Sequence, residues 1–251
     1  MLSKPFLVLI LGLVALRPAN AQPPPHRPWS GGVFASTDSQ PYRGASGKVR
    51  VFPFISYRSQ TLEWYGPFVR YRAASISEWN LWIRGQVDFG AFDEDDASFL
   101  EGMGDRSTTF LLGLGLQRNL NNMWSVSLSA DRDIFGAHDG VESVFGLSRR
   151  IGHPFMPLSG SVSGGLRFQD KQWTRDRVAV SEEQAREDRP QYNPDLSIHP
   201  YLSAMAMYRF SERWMATAGL RYEWLDSTWT GSPLVSDKGR LTSIMTLSYV
   251  F

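Results

Sequence analysis

The sequence predicts an all-β fold: a transmembrane antiparallel up-and-down β-barrel of about ten strands, or twelve if one strand is concealed. Three observations lead there. Segments of about ten residues alternate apolar and polar side chains along most of the chain, the pattern of a strand with one face on lipid and the other on water. The composition is 13% aromatic with nine Trp, yet the mean hydropathy is only −0.27, as expected when every strand turns half its residues toward a polar lumen. The chain also ends on a strand, with Leu241, Met245, Leu247, Tyr249 and Phe251 on one face and Thr242, Thr246 and Ser248 on the other. Nothing follows to cover a free sheet edge, so the edge must pair within the sheet, and closure supplies the partner.

Met1 to Ala21 carries Lys4, an apolar run from Phe6 to Leu16 and the small-residue site Ala19, Asn20, Ala21. Residues 1–21 therefore look like a secretory signal peptide, with an apolar run too short to span a bilayer, and the mature chain is expected to start near Gln22. Loss of Lys4 and Arg17 leaves the 26 basic residues one short of the 25 acidic ones. A charge near −1 gives no reason to expect nucleic acid or another polyanion as partner. The absence of cysteine excludes a disulfide scaffold and thiol chemistry. One barrel fits the length, and no linker divides the chain.

Residues 22–47 are expected to form a Pro-rich lead-in and a weak first strand over Trp29 to Thr37, followed by a Gly-containing turn. The barrel itself is expected over 48–251. In Lys48 to Arg58, Val49, Val51, Ile55 and Tyr57 oppose Lys48, Arg50, Ser56 and Arg58, and Pro53, which cannot donate to a ladder, should mark a bulge or a local edge. Thr61 to Ala74 changes phase midway, as a bulge at Gly66 and Pro67 would cause. Glu78 to Phe89 alternates cleanly. Strands around Phe110 to Leu116 and Trp124 to Ala130 flank a polar turn at Asn119 to Asn122, and Val141 to Arg150 and Leu158 to Phe168 follow. Pro200 to Phe210 and Arg213 to Trp224 make a further hairpin before the closing strand. Aromatic residues cluster at strand ends, at the depth of lipid headgroups. Long outer loops are expected near 90–106, 169–198 and 225–239, alternating with short periplasmic turns. The short turn at Ser59 and Gln60 breaks that alternation in a ten-stranded count.

Several segments then resemble one family. They are Tyr42 and Gly44; Pro53 to Tyr57; Asp93 to Asp105 with Leu100, Gly102, Gly104 and Asp105; Gly136, His138 and Gly140; VAVSEEQA from Val178 to Ala185 with Tyr192; SPLV from Ser232 to Val235; and the final LSYVF. In their order and spacing they are similar to the MipA/OmpV family, named for an outer-membrane protein that interacts with a murein transglycosylase. Val250 departs from the arginine more usual between the last two aromatics. The resemblance implies a Gram-negative outer-membrane barrel with no catalytic role. In some members that barrel is a scaffold joining a lytic transglycosylase to a peptidoglycan synthase; others are linked to adhesion or passive permeation. It also implies contact with outer-membrane lipid and lipopolysaccharide, and delivery by the barrel assembly machinery, with Leu247, Tyr249 and Phe251 as the closing-strand signal.

The chemistry readable from the residues is modest, and no catalytic, cofactor or metal residue is assigned. His138 beside Asp139 suits a turn between glycines better than a hydrolase site, for which no motif supplies the partners. Asp93 to Asp96 lack the glycine and bidentate Glu of a calcium loop, and Gly102 and Gly104 lack the context of a phosphate loop. Arg84, Asp88, Asp131, Arg167, Arg221 and Glu223 share the lumen parity, so ion-paired rungs filling a narrow interior are expected. The alternative is a narrow diffusion channel lined by the same arginines.

Overall fold

The computed structural model describes residues 28–152 and 156–251. The expected signal peptide and nearly all of the Pro-rich lead-in lie outside them. Among the described residues twelve antiparallel strands close into one barrel: β1 (Trp29–Asp38), β2 (Lys48–Arg58), β3 (Leu62–Tyr65), β4 (Phe68–Ile76), β5 (Trp79–Asp88), β6 (Thr109–Asn119), β7 (Trp124–Asp133), β8 (Val141–Ile151), β9 (Leu158–Gln169), β10 (Ser197–Arg209), β11 (Trp214–Trp224) and β12 (Gly239–Val250). Each strand pairs with its neighbours in sequence, and β1 pairs with β12 from Ser30 opposite Val250 to Asp38 opposite Thr242. Two short helices, α1 (Lys171–Val178) and α2 (Ser227–Thr230), lie in the last two long loops.

Two elements raise the count from ten. The weak Trp29 to Thr37 segment is a full stave, paired along β2 as well as β12, so the barrel begins at Trp29 rather than Lys48. The phase change in Thr61 to Ala74 is a hairpin, not a bulge. Leu62 faces Tyr71 and Trp64 faces Val69 across a two-residue turn at Gly66 and Pro67, so outward residues sit on opposite parities in β3 and β4. Gly66 has φ +52, the left-handed conformation that the first position of a II′ hairpin turn requires. The register slip falls later, between Arg72 and Ala74. With these two strands added, the Ser59 turn moves to the short-turn end, which also carries Trp29 and Phe251, and the two-residue turn at Gly66 and Pro67 becomes the one short connection at the long-loop end among the described residues.

Apolar side chains point outward: Val49, Leu114, Leu128, Leu158, Leu220 and Met245 are all exposed. Lipid is the medium for such a surface, and a closed barrel leaves few backbone groups unpaired within it. Ring pairs mark the short-turn rim, where Trp29 meets Tyr57 at 4.7 Å and Trp214 meets Tyr249 at 5.2 Å; at the opposite rim Tyr222 meets Trp224 at 4.9 Å. The Phe251 N–H donates to the carbonyl of Trp29 (3.1 Å), which fixes the tail of the chain to its first stave.

Candidate functional site

The lumen is built from the inward parity of the strands. Arg84 on β5 and Asp131 on β7 both lie opposite Gly113 of β6. The missing side chain lets the guanidinium and carboxylate meet over the glycine, with Nε 3.1 Å from Oδ1. Arg167 on β9 bridges Glu142 of β8 (3.2 Å) and Glu223 of β11 (3.0 Å), and Gln169 Nε2 donates to Glu142 (3.0 Å). Arg240 reaches Asp38 across the β1–β12 seam at 3.0 Å. Among the described residues Arg221 has no carboxylate partner at ion-pair distance; its guanidinium lies 3.9 Å from the ring centre of Tyr201, a cation–π contact. Asp88 is met by Arg177 of α1, a loop residue that strand parity could not reveal. Trp82, on the same inward parity of β5 as Arg84, is buried beneath Arg70 and Arg72 at 4.4 and 5.0 Å.

Over the long-loop end sits a folded cap. The segments 39–47, 89–108, 170–196 and 225–238 pool Tyr42, Phe92, Leu100, Met103, Val178, Val180, Trp229 and Leu234 into one buried apolar cluster. Local chemistry sets each piece. Asp170 caps α1 by accepting from the N–H of Trp173 (2.8 Å), and Asp226 caps α2 by accepting from that of Trp229 (3.1 Å). Arg189 ties two loops together, donating to the carbonyls of Phe99 (2.6 Å) and Gln184 (3.1 Å). The Ser232 hydroxyl donates to the Val178 carbonyl (2.7 Å). These segments are therefore not the solvated loops that their charge and aperiodicity suggest. Burial holds the Tyr42 phenol well above its ordinary pKa, against the pull of Arg177 and Arg240. Burial likewise raises the Asp176 carboxyl, with Arg177 and Arg106 opposing. A recess of about 470 Å³ opens beside α1, with Arg106, Asp176, Gln184 and Tyr192 in its lining.

The loop candidates take structural places. His138 packs edge-on against Trp173 at 4.4 Å. Its Nδ1 accepts from the N–H of Gly140 (3.0 Å), and its Nε2 lies 3.8 Å from Asp88. Asp93 and Asp96 bind Lys48, at 2.9 and 2.7 Å. No cluster of three metal-ligating side chains occurs among the described residues. Sequence parity missed Glu142, although Phe145 and Leu147 on the outward face of β8 would have assigned it to the lumen. It also missed Arg177 and the cap core, for which no periodic signal exists.

A closed antiparallel barrel, apolar outside, ion-paired within and capped by its long loops, is a bacterial outer-membrane β-barrel. Residues 31–251 match the family described as MltA-interacting protein MipA, and the chain belongs to that family. It is 23% identical over 232 residues to YiaT of Escherichia coli (strain K12), a match covering 88% of this chain and 89% of that protein. Among solved structures it is similar to the NanC porin at 10% identity and a TM-score of 0.44, covering 89% of this chain and 99% of the other. It is also similar to an outer membrane channel from Pseudomonas putida F1 at 13% identity and a TM-score of 0.43, covering 94% and 100%.

Proposed function

We propose that the protein is a membrane-anchored scaffold for cell-wall enzymes, holding a lytic transglycosylase, and through it a peptidoglycan synthase, at the inner face of the outer membrane. The observation that carries this reading is membership of a family named for its interaction with MltA. The paired lumen charges and the packed cap favour it over a diffusion channel. The surface offered to a partner is basic: Arg58, Arg149, Arg150, Arg209 and Arg213 are exposed around the short-turn rim, against exposed Glu78 and Glu212. Partner contact is also expected of the lead-in Gln22 to Trp29 or of the turn Arg150 to Met156, of which residues 22–27 and 153–155 lie outside the described ones. Leu247, Tyr249 and Phe251 would present the closing strand to the barrel assembly machinery.

The test is capture of a soluble lytic transglycosylase by the detergent-purified barrel. Binding at low salt that weakens at least tenfold in Arg149→Glu/Arg150→Glu, and weakens with added salt as screened charges must, supports the scaffold. A clean failure to capture sinks it, as do unitary conductance steps in planar bilayers that vanish in Arg84→Ala.

A further inference from the structure

The barrel wall is not uniform. β3 ends at Tyr65 and turns back, so beyond Ser56 the long strand β2 loses its neighbour on that side. Arg58 donates its N–H to Pro28 on the β1 side, whereas the carbonyl of Ile55 accepts from Gly66 on the β3 side. By strand alternation Val49, Val51 and Pro53 point their backbone groups away from β1. Above the hairpin, and among the described residues, nothing bonds to them. Pro53 thus marks the local edge its chemistry predicts, having no N–H to leave unpaired. Val49 and Val51 each leave a donor and an acceptor free, while their side chains, 70% and 65% exposed, face lipid. Unpaired backbone is tolerated at membrane depth only where something polar reaches it.

The inner face of the same stretch is unlike the rest of the lumen. Arg50, Phe52 and Phe54 follow one another inward at every second residue. Phe52 stacks on Phe34 at 4.8 Å and lies 6.2 Å from Phe89. Arg50 lies 5.2 Å over Phe89 and has no acidic partner among the described residues. A cation at the outer end of a strip of aromatic rings, beside two free N–H donors, has the shape and polarity of a fatty acid set with its carboxylate outward.

We propose that this lateral opening between β2 and the end of β5 binds a free fatty acid from the outer leaflet. Its carboxylate accepts from Arg50 and from the N–H groups of Val49 and Val51, and its chain lies along Phe52, Phe54 and Phe34. This site is independent of the scaffold reading.

The test uses the mature protein in nanodiscs and a diazirine-bearing palmitate, with labelled peptides identified by mass spectrometry. Labelling is expected to concentrate on residues 49–54 and 89, at least tenfold above the apolar wall of β8 and β9. Excess unlabelled palmitate should remove it, the methyl ester of the probe should not reproduce it, and Arg50→Gln should cut it at least fivefold while heat-modifiable gel migration shows the barrel folded. Even labelling around the wall, indifference to the ester or to Arg50→Gln, or capture of a second copy of the chain by a photo-crosslinker at position 51 would each overturn the proposal.

Discussion

Replacement of Arg167 by Met tests whether the lumen is a filled interior or a watery passage. Arg167 is the only cation at ion-pair distance from Glu142 and Glu223 among the described residues, and each of those carboxylate side chains is only 6% exposed. Taking one partner from a buried pair costs about 3–5 kcal/mol, because the remaining charge keeps its desolvation penalty. A solvent-screened pair is worth about 0–1 kcal/mol. Burial on this scale places the triad in the first regime, so Arg167→Met should shift the folding equilibrium by at least a hundredfold, at about 1.4 kcal/mol per factor of ten. Adding Glu142→Gln and Glu223→Gln removes the orphaned charges and should recover most of the loss. Urea unfolding in detergent micelles, followed by Trp fluorescence, measures both variants. If the single variant stays within about 1 kcal/mol of the parent, or the triple variant is no better than the single one, water screens these groups and the filled-lumen argument is wrong.

Three further outcomes follow from the cap and the tail. Leu234→Ala, at a position with no exposed surface, should destabilise the cap by about 2–5 kcal/mol, read as faster proteolytic nicking within 181–190 while the barrel stays heat-modifiable. Burial raises the Asp176 carboxyl, so its contribution to cap stability is full below the ordinary carboxylate pKa and is lost as pH climbs through the raised one; nicking should therefore accelerate over that upward interval in the parent, and less so in Asp176→Asn. Phe251→Ala removes a ring 5.6 Å from that of Tyr249; it should lower the folded fraction in the outer membrane of cells more than refolding yield in detergent, and equal losses in both settings would place its role in stability instead of delivery.

Strand parity made the wall legible because lipid asks of an outward side chain only that it be apolar. The closing strand and the alternation of Trp79 to Asp88 needed nothing further. Legibility failed where two strands shared one short stretch: between Leu62 and Ile76 a two-residue turn reverses the chain, and the resulting parity flip looks the same as a bulge until the partner strand is known. It failed again at β1, whose Gly31 and Gly32 dilute the apolar pattern. Gly32 must be small, since a Cβ there would collide with the backbone of Leu247 and Ser248. The lumen was half readable. Arg84, Asp131, Arg167 and Glu223 follow from parity, but their pairing follows from register, and Asp88 turned out to answer to a helix inside a loop.

The residues that carry the family resemblance lie mostly off the wall. Tyr42, Leu100, Val178, Val180, Leu234 and Val235 come from four separate loops and meet in the cap core. This distribution has a physical cause. An outward face against fluid lipid tolerates any apolar shape, so wall sequences can be similar without being distinctive. A small core buried among loops has no ladder to order it and depends on particular volumes meeting at particular places. Its residues are therefore individually characteristic, though scattered and aperiodic. A cap assembled in this way also makes the filled-lumen reading coherent: Arg177 is delivered to Asp88 by a helix whose own Trp173, Thr174 and Val178 are buried, so loosening the cap core removes a lumen cation along with the lid.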